Sequence, residues 1–294
     1  MHDHLYHYTK INVLKDIFND PNGKNVTLLL SEYRFLNDAE EGIYLYNFMK
    51  DFKESITSLF KTENEKKYCK NAIDTFLTSD CYRYLCGYYN DKHFSFSMSE
   101  LKDSMQFWRQ DYACENGIAL GFNKSRYEEE SEKNLSLGKI QYLDMETVEF
   151  ILHEFMDTIR KEAEYINHIN EFNDDGTPHY DMSGSFVLTK SPFWLIKNKV
   201  WSSEQEWRLV KTIKSLNIAM EKRRKKDYKL PYEIGNDFKP RYKAVLQNPF
   251  DEIILGPAFP DTYVDYIKDW LRQQHYDIKN VSKSLGRERS KIEI

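Results

Sequence analysis

Three polar islands carry residue types capable of chemistry. The densest is Trp201-Ser202-Ser203-Glu204-Gln205-Glu206-Trp207-Arg208. Read as a strand, its period of two puts Glu204, Glu206 and Arg208 on one face, with Trp207 and Leu209 packed behind. Two carboxylates so spaced can hold a sugar hydroxyl with one and orient a nucleophile with the other. A second reading exists, because Ser203-x-x-Glu206 also spells a helix capping box and Glu204 with Arg208 a helical i,i+4 pair. The alternation of Trp207 to Ile213, rich in β formers, argues for the strand. The other islands are His7-Tyr8-Thr9 and Ser95-Phe96-Ser97. His7 and Tyr8 are open to reading as core residues with satisfied polar tips, and Ser95 and Ser97 as the solvent side of an ordinary strand.

These islands need elements to hold them. Leu5 to Thr9 predicts a short strand, Val13 to Phe18 a helical turn ending before Asn19-Asp20-Pro21-Asn22-Gly23, and Val26 to Leu30 a second strand. Leu45, Phe48 or Met49, Phe52, Ile56 and Leu59 predict one long helix, and 68–89 another. His93 to Met98 alternates strictly, with Phe94, Phe96 and Met98 on one face and His93, Ser95 and Ser97 on the other. A short helix over 104–112 carries Trp108. Strands are expected over 117–122 and 139–143, separated by an acidic loop around Glu128. A long helix follows through Val148, Ile151, Leu152, Phe155, Ile159, Ile166 and Ile169. Strands near 244–246 and 252–256 precede a last helix capped by Asp261, with Tyr263, Ile267, Trp270 and Leu271 inward. Irregular alternation without repeats or linkers argues for one α+β domain over 1–294, with helical insertions near 39–89 and 145–172.

Composition bounds the setting. The 294 residues carry 42 Lys and Arg against 47 Asp and Glu, a net charge of −5, which argues against a protein that coats nucleic acid through overall charge. The run Lys222-Arg223-Arg224-Lys225-Lys226 leaves a local phosphate-contacting patch open, a mobile loop being its alternative. No run approaches the roughly 18 apolar residues of a spanning helix, so no membrane is expected, and Met1-His2-Asp3-His4 shows no secretory leader. The four cysteines, Cys69, Cys81, Cys86 and Cys114, form no Cys-x-x-Cys pair and are expected as free thiols in a reducing cytoplasm. No dinucleotide-binding glycine motif, P-loop or metal-ligand spacing is present, and His2, His4 and His7 are not expected to hold a metal. Tyr, Phe and Trp make up 15% of the chain, enough to line a cleft as well as a core.

Taken in order, Leu5-Tyr6-His7-Tyr8-Thr9, Phe35-Leu36-Asn37-Asp38-x-Glu40, Phe94-Ser95-Phe96-Ser97, Asp103-Ser104-Met105-x-Phe107-Trp108-x-x-x-Tyr112, Gly117 to Phe122, Trp201-x-x-Glu204-x-Glu206-Trp207-Arg208 and Glu252 to Pro257 resemble a bacterial family of unknown-function domains related to the ADP-ribosyltransferases. The likeness runs from residue 5 to about 260. It implies an ADP-ribosyltransferase-like split mixed or antiparallel β-sheet with NAD, the co-substrate, in the cleft. Carried over, His7 bonds the adenosine ribose, and Tyr8 or Tyr112 stacks on nicotinamide. Glu206 grips the nicotinamide ribose, and Glu204 orients the acceptor nucleophile. Thr9, Ser95, Ser97, Trp108 and Arg208 complete the NAD-binding set. His7-Tyr8 combined with Glu204-x-Glu206 mixes two branches, so the resemblance leaves the acceptor open among protein, RNA and DNA. It further implies a cytoplasmic toxin or antiphage effector, with an antitoxin or inhibitor protein as a possible partner. The alternatives are an NAD glycohydrolase and an inactive nucleotide- or nucleic-acid-binding module. Asn37 and Asp38 carry no assigned role, a helix cap being one use.

Overall fold

The structure is a computed structural model that describes residues 3–36, 43–78, 92–109, 113, 116–130, 135–169, 193–214, 229–235 and 237–285. In chain order the strands are β1 (His4–Lys10), β2 (Asn25–Glu32), β3 (Lys92–Ser99), β4 (Gly117–Asn123), β5 (Ser136–Lys139), β6 (Gln141–Leu143), β7 (Ile196–Asn198), β8 (Glu206–Ile213), β9 (Glu233–Ile234), β10 (Pro240–Gln247), β11 (Phe250–Leu255) and β12 (Asn280–Lys283). The helices are α1 (Leu14–Ile17), α2 (Tyr44–Asp51), α3 (Lys53–Ser58), α4 (Glu63–Thr78), α5 (Met105–Arg109), α6 (Lys124–Glu130), α7 (Val148–Ile151), α8 (His153–Ile169) and α9 (Tyr263–Gln273). This is an α+β architecture built on a large mixed sheet, antiparallel except where β12 runs parallel to β11.

The sheet forks at β3. One edge of β3 is paired with β8 along its whole length, from Lys92↔Ile213 to Ser99↔Glu206. The other edge is shared. β2 pairs with it through Ser31↔Ser95 and Glu32↔Phe94, and β1 only through Tyr6↔Ser99. Between these two points β1 leaves to pair with β4, and β2 leaves to pair with β10. The alternation expected for β3 holds: Phe94, Phe96 and Met98 face a core shared with Leu5, Leu28, Leu30, Leu120, Leu209 and Ile253. Tyr6 and Tyr8 leave β1 on its opposite face and pack with Phe107, Trp108, Ala119 and Ile254.

A separate apolar cluster joins α2, α3, α4, α7 and α8 through Phe48, Ile56, Ile73, Leu152, Phe155 and Ile159. Two of the three long helices expected there are interrupted; the third is described as α4 up to Thr78, the rest of 68–89 lying outside the described residues. Phe52 (φ −107°, ψ 15°) separates α2 from α3, and Leu152 (φ −97°, ψ 18°) separates α7 from α8. Neither break has a Pro or Gly. Packing of the short pieces on α4 and α8 overrides a continuous helical period. Phe52, expected inward, is half-exposed beside Phe48.

Other expectations change at element ends. The acidic stretch around Glu128 closes α6 rather than forming a loop, because Asn123 at the end of β4 accepts the Arg126 N–H (3.0 Å) as a helix cap. The 139–143 strand divides at Ile140, β5 pairing with β8 and β6 with β7. Asp261 pairs with Lys283 (2.7 Å) instead of capping α9, and Tyr263 faces outward. Gly23 takes the positive φ (65°) that the predicted turn requires, with the His275 carbonyl where a Cβ would sit. Cys69 is a buried free thiol, while Cys81, Cys86 and Cys114 fall outside the described residues. Among the described residues no helix is long and apolar enough to cross a membrane, and no group of three or more His, Cys, Asp or Glu is placed to hold a metal.

Candidate functional site

The fork opens a cavity of about 440 Å³, within the size range of small-molecule sites. Tyr6, His7 and Tyr8 of β1 line one side, Ser97, Met98 and Ser99 of β3 the floor, and Glu206 with Arg208 of β8 the far wall. Where β3 lacks a strand partner on that edge, a side chain substitutes. His7 Nδ1 lies 2.8 Å from the Ser97 carbonyl, and its ring stacks on Phe96 at 3.9 Å between centroids. A carbonyl only accepts, so Nδ1 carries the proton and Nε2 is left as an acceptor. Burial lowers the His7 pKa to about 4, against the opposing effect of the Ser97 hydrogen bond.

Glu204 and Glu206 do not lie on one strand. A 3₁₀ turn over Lys199–Glu204, capped where Asn198 Oδ1 accepts the Val200 N–H (3.1 Å), ends at Gln205 in the left-handed region (φ 45°, ψ 49°). Only then does β8 begin, at Glu206. Position 205 is thus the switch from turn to strand, which neither the strand nor the capping-box reading anticipates. The geometry is held on both sides: Ser99 Oγ donates to the Glu204 carbonyl (2.6 Å), and the Glu206 N–H donates to the Tyr142 hydroxyl (2.8 Å).

Both carboxylates are buried and both meet cations. Arg208 donates from Nε to Glu206 Oε1 (2.7 Å) and from Nη2 to Oε2 (3.2 Å), while its Nη1 bonds the Trp194 carbonyl (2.9 Å). Lys197 donates to Glu204 Oε2 (2.9 Å) and to Glu206 Oε2 (3.3 Å), with its ammonium 5.1 Å from the Trp201 ring centre. Burial alone would raise the Glu206 pKa. The charges of Arg208 and Lys197, with hydrogen bonds from Arg208 and Ser97, outweigh it and hold the carboxyl at about 2. Glu206 is therefore an anion at neutral pH in a water-poor wall.

The structure brings His7, Tyr8, Ser97, Glu204, Glu206 and Arg208 onto one cavity. Tyr8 lines it while largely buried. It is 7% exposed, its hydroxyl donates to the Leu101 carbonyl (2.7 Å) and accepts the Ser104 N–H (2.9 Å), and its ring stacks on Phe107. Trp108 is wholly buried behind Tyr8, bonded to Asp103 (2.7 Å), and does not line the cavity. Thr9 lies past the cavity, opposite Ile118, and Ser95 is buried with its hydroxyl unpartnered among the described residues. Tyr112, Asn37 and Asp38 lie outside the described residues. Sequence reasoning missed Ser99, one step beyond the Ser-x-Ser pair, and Lys197. The available signal for Lys197 was a cation directly following the apolar run Phe193 to Ile196.

These two groups of the site contribute to the acid limb of stability. His7 ordinarily titrates near 6.5 and is held neutral to about 4. As pH falls through this window the unfolded chain takes up a proton that the folded chain refuses, so stability drops. Glu206 acts lower: its contribution is complete above its ordinary 4.5 and is lost between there and about 2. The melting temperature is expected to fall in both windows, with His7→Gln flattening only the upper one. An unchanged slope between pH 6.5 and 4 in that variant would show that His7 does not carry it.

No curated protein and no solved structure matches the chain. One family model does match part of it, from Phe107 to Leu209, a span that includes Lys197, Glu204, Glu206 and Arg208 but not His7. Over residues 107–209 the chain is thus similar to a family described as a protein of unknown function (DUF2971).

Proposed function

We propose that the chain is an NAD-dependent ADP-ribosyltransferase acting on a macromolecule, with NAD as its substrate in the cavity at the sheet fork. The observation that carries the reading is the ionised, buried Glu206 at the start of β8, set on the same cavity as the neutral His7 of β1. Breaking the bond between nicotinamide and its ribose sends the electron pair out with nicotinamide and leaves an oxocarbenium-like carbon. A fixed anion beside that carbon stabilises it without reorganising. His7 Nε2 suits a ribose hydroxyl. The acceptor nucleophile then bonds to the ribose carbon, its proton passing to the Glu204 carboxylate.

Incubation with NAD labelled in its adenylate half, together with cell extract, tests this. Release of nicotinamide with label on protein or nucleic acid supports transfer. Nicotinamide without macromolecular label makes the chain a glycohydrolase, and no release sinks both. A second reading, a nucleotide-binding module without catalysis, is favoured by one observation. Both Glu206 oxygens are engaged by cations, and the four charges of the wall sum to zero. Calorimetric NAD binding without nicotinamide release would establish it. Within the transferase reading, Glu204→Gln is expected to cut transfer about 10²-fold or more, the size of a lost general base, while largely sparing NAD hydrolysis. Equal loss of both activities would remove its acceptor-side role. A role as a toxin or antiphage effector checked by an antitoxin extends this reading on the resemblance alone.

A further inference from the structure

The mouth of the cavity exposes aromatic rings among cations. Phe35 and Trp201 line it while remaining 40% and 37% exposed. Phe238, immediately before the lining residue Lys239, is 84% exposed. It sits in the turn between β9 and β10 with φ 59°, a conformation that bulky residues rarely adopt. The described residues of the turn, 235 and 237–239, are held by hydrogen bonds. The Gly235 N–H donates to the Lys239 carbonyl (3.0 Å), the Phe238 N–H donates to the Gly235 carbonyl (2.9 Å), and Arg241 grips Asp237 with two bonds (2.8 and 2.6 Å). Lys239 reaches back to the Phe35 carbonyl (3.2 Å) and, among the described residues, meets no carboxylate within ion-pair distance. The turn therefore holds a largely exposed phenyl ring on a backbone conformation that costs strain. Strain of this kind points to a use.

We propose that the β9–β10 turn, with Phe35 and Trp201, docks the acceptor, and that the acceptor is single-stranded nucleic acid: a base stacks on Phe238 and Lys239 takes a neighbouring phosphate. This rests on the transferase reading for the word acceptor, not for the surface. Rings interleaved with cations match unpaired bases on a phosphodiester chain, since stacking accepts any base. An apolar protein partner would want contiguous apolar area, which Lys239 and Arg241 interrupt. With Asp237 balancing Arg241, only the Lys239 cation is left over on the turn, so affinity should depend shallowly on salt.

Fluorescence anisotropy of labelled twelve-nucleotide single strands, RNA and DNA, on the full chain is the test. Phe238→Asn is the variant of choice because Asn tolerates positive φ, with Phe238→Ala beside it and melting temperatures to confirm folding. Binding is expected to weaken by about fivefold or more, the size of one lost base–aromatic stack. Nicotinamide release from NAD without acceptor should stay at the wild-type rate, because Phe238 does not line the cavity. Wild-type affinity in a folded Phe238→Asn variant overturns the proposal. So does absence of oligonucleotide binding, or NAD label passing to protein instead. Phe238-dependent binding in a protein that releases no nicotinamide would sink the transferase reading and leave the docking surface standing.

Discussion

Glu206→Gln is expected to lower nicotinamide release from NAD by about 10²–10³-fold, the size of losing a preorganised charge at the reacting centre. The swap keeps the shape and removes the charge; because an amide nitrogen only donates, it also keeps just one of the two bonds accepted from Arg208. The loss should fall on kcat, with KM little changed, because the anion matters most when the ribose carbon is cationic. Glu206 is held near a pKa of about 2, so the wild-type rate should not lose this group until the pH approaches that value. Steady-state rates between pH 5 and 8 and NAD affinity by calorimetry check both parts. Wild-type turnover in Glu206→Gln would mean that the β8 carboxylate is structural.

Arg208→Met is expected to cost about 3–5 kcal/mol of stability at neutral pH, because it leaves a buried carboxylate with one cation where it had two. Arg208 is 2% exposed and bonds both Glu206 oxygens and the Trp194 carbonyl, so it ties β8 to the segment that carries Lys197. Without it the Glu206 pKa moves up, and the stability lost between pH 4.5 and 2 shrinks with the shift. Urea unfolding reads the first effect, and its pH dependence the second. The double variant Glu206→Leu with Arg208→Met should recover most of the loss, since removing both charges removes the desolvation cost too. If Arg208→Met unfolds within about 1 kcal/mol of wild type, the wall is not held by this pair.

How much of this was legible follows the range of the interactions. β3 could be read in full, because His93 to Met98 alternates and one face is core. The Glu204–Glu206 pair could be found by type, but not its backbone. The left-handed turn at Gln205 follows from packing of the Lys199–Glu204 turn, and no Gly marks it. The broken helices at Phe52 and Leu152 escaped for the same reason. The Lys197 contacts were invisible because they depend on β7, three residues long and paired with β6. Nothing in sequence order brings Phe35, Trp201 and Lys239 to one cavity; the β2–β10 pairing joins the first and last across some two hundred residues, and the β3–β8 pairing brings in Trp201. The family likeness over 107–209 omits the β1 His, which reaches the site only through the fork.

The fork has one more consequence. A bare strand edge invites another chain to add a strand, and proteins usually guard such edges at their rims with charge, proline or a bulge. The unpaired stretch of β3 between Ser95 and Ser99 is instead guarded by placement. It lies on the floor of a cavity between two diverging strands, and the His7 ring stoppers its Ser97 carbonyl. A passing polypeptide finds no run of backbone to zip onto, whereas a narrow ligand finds the His7 ring and the polar side chains that line the recess. The same gap in pairing thus protects against self-association and furnishes the recess with polar groups.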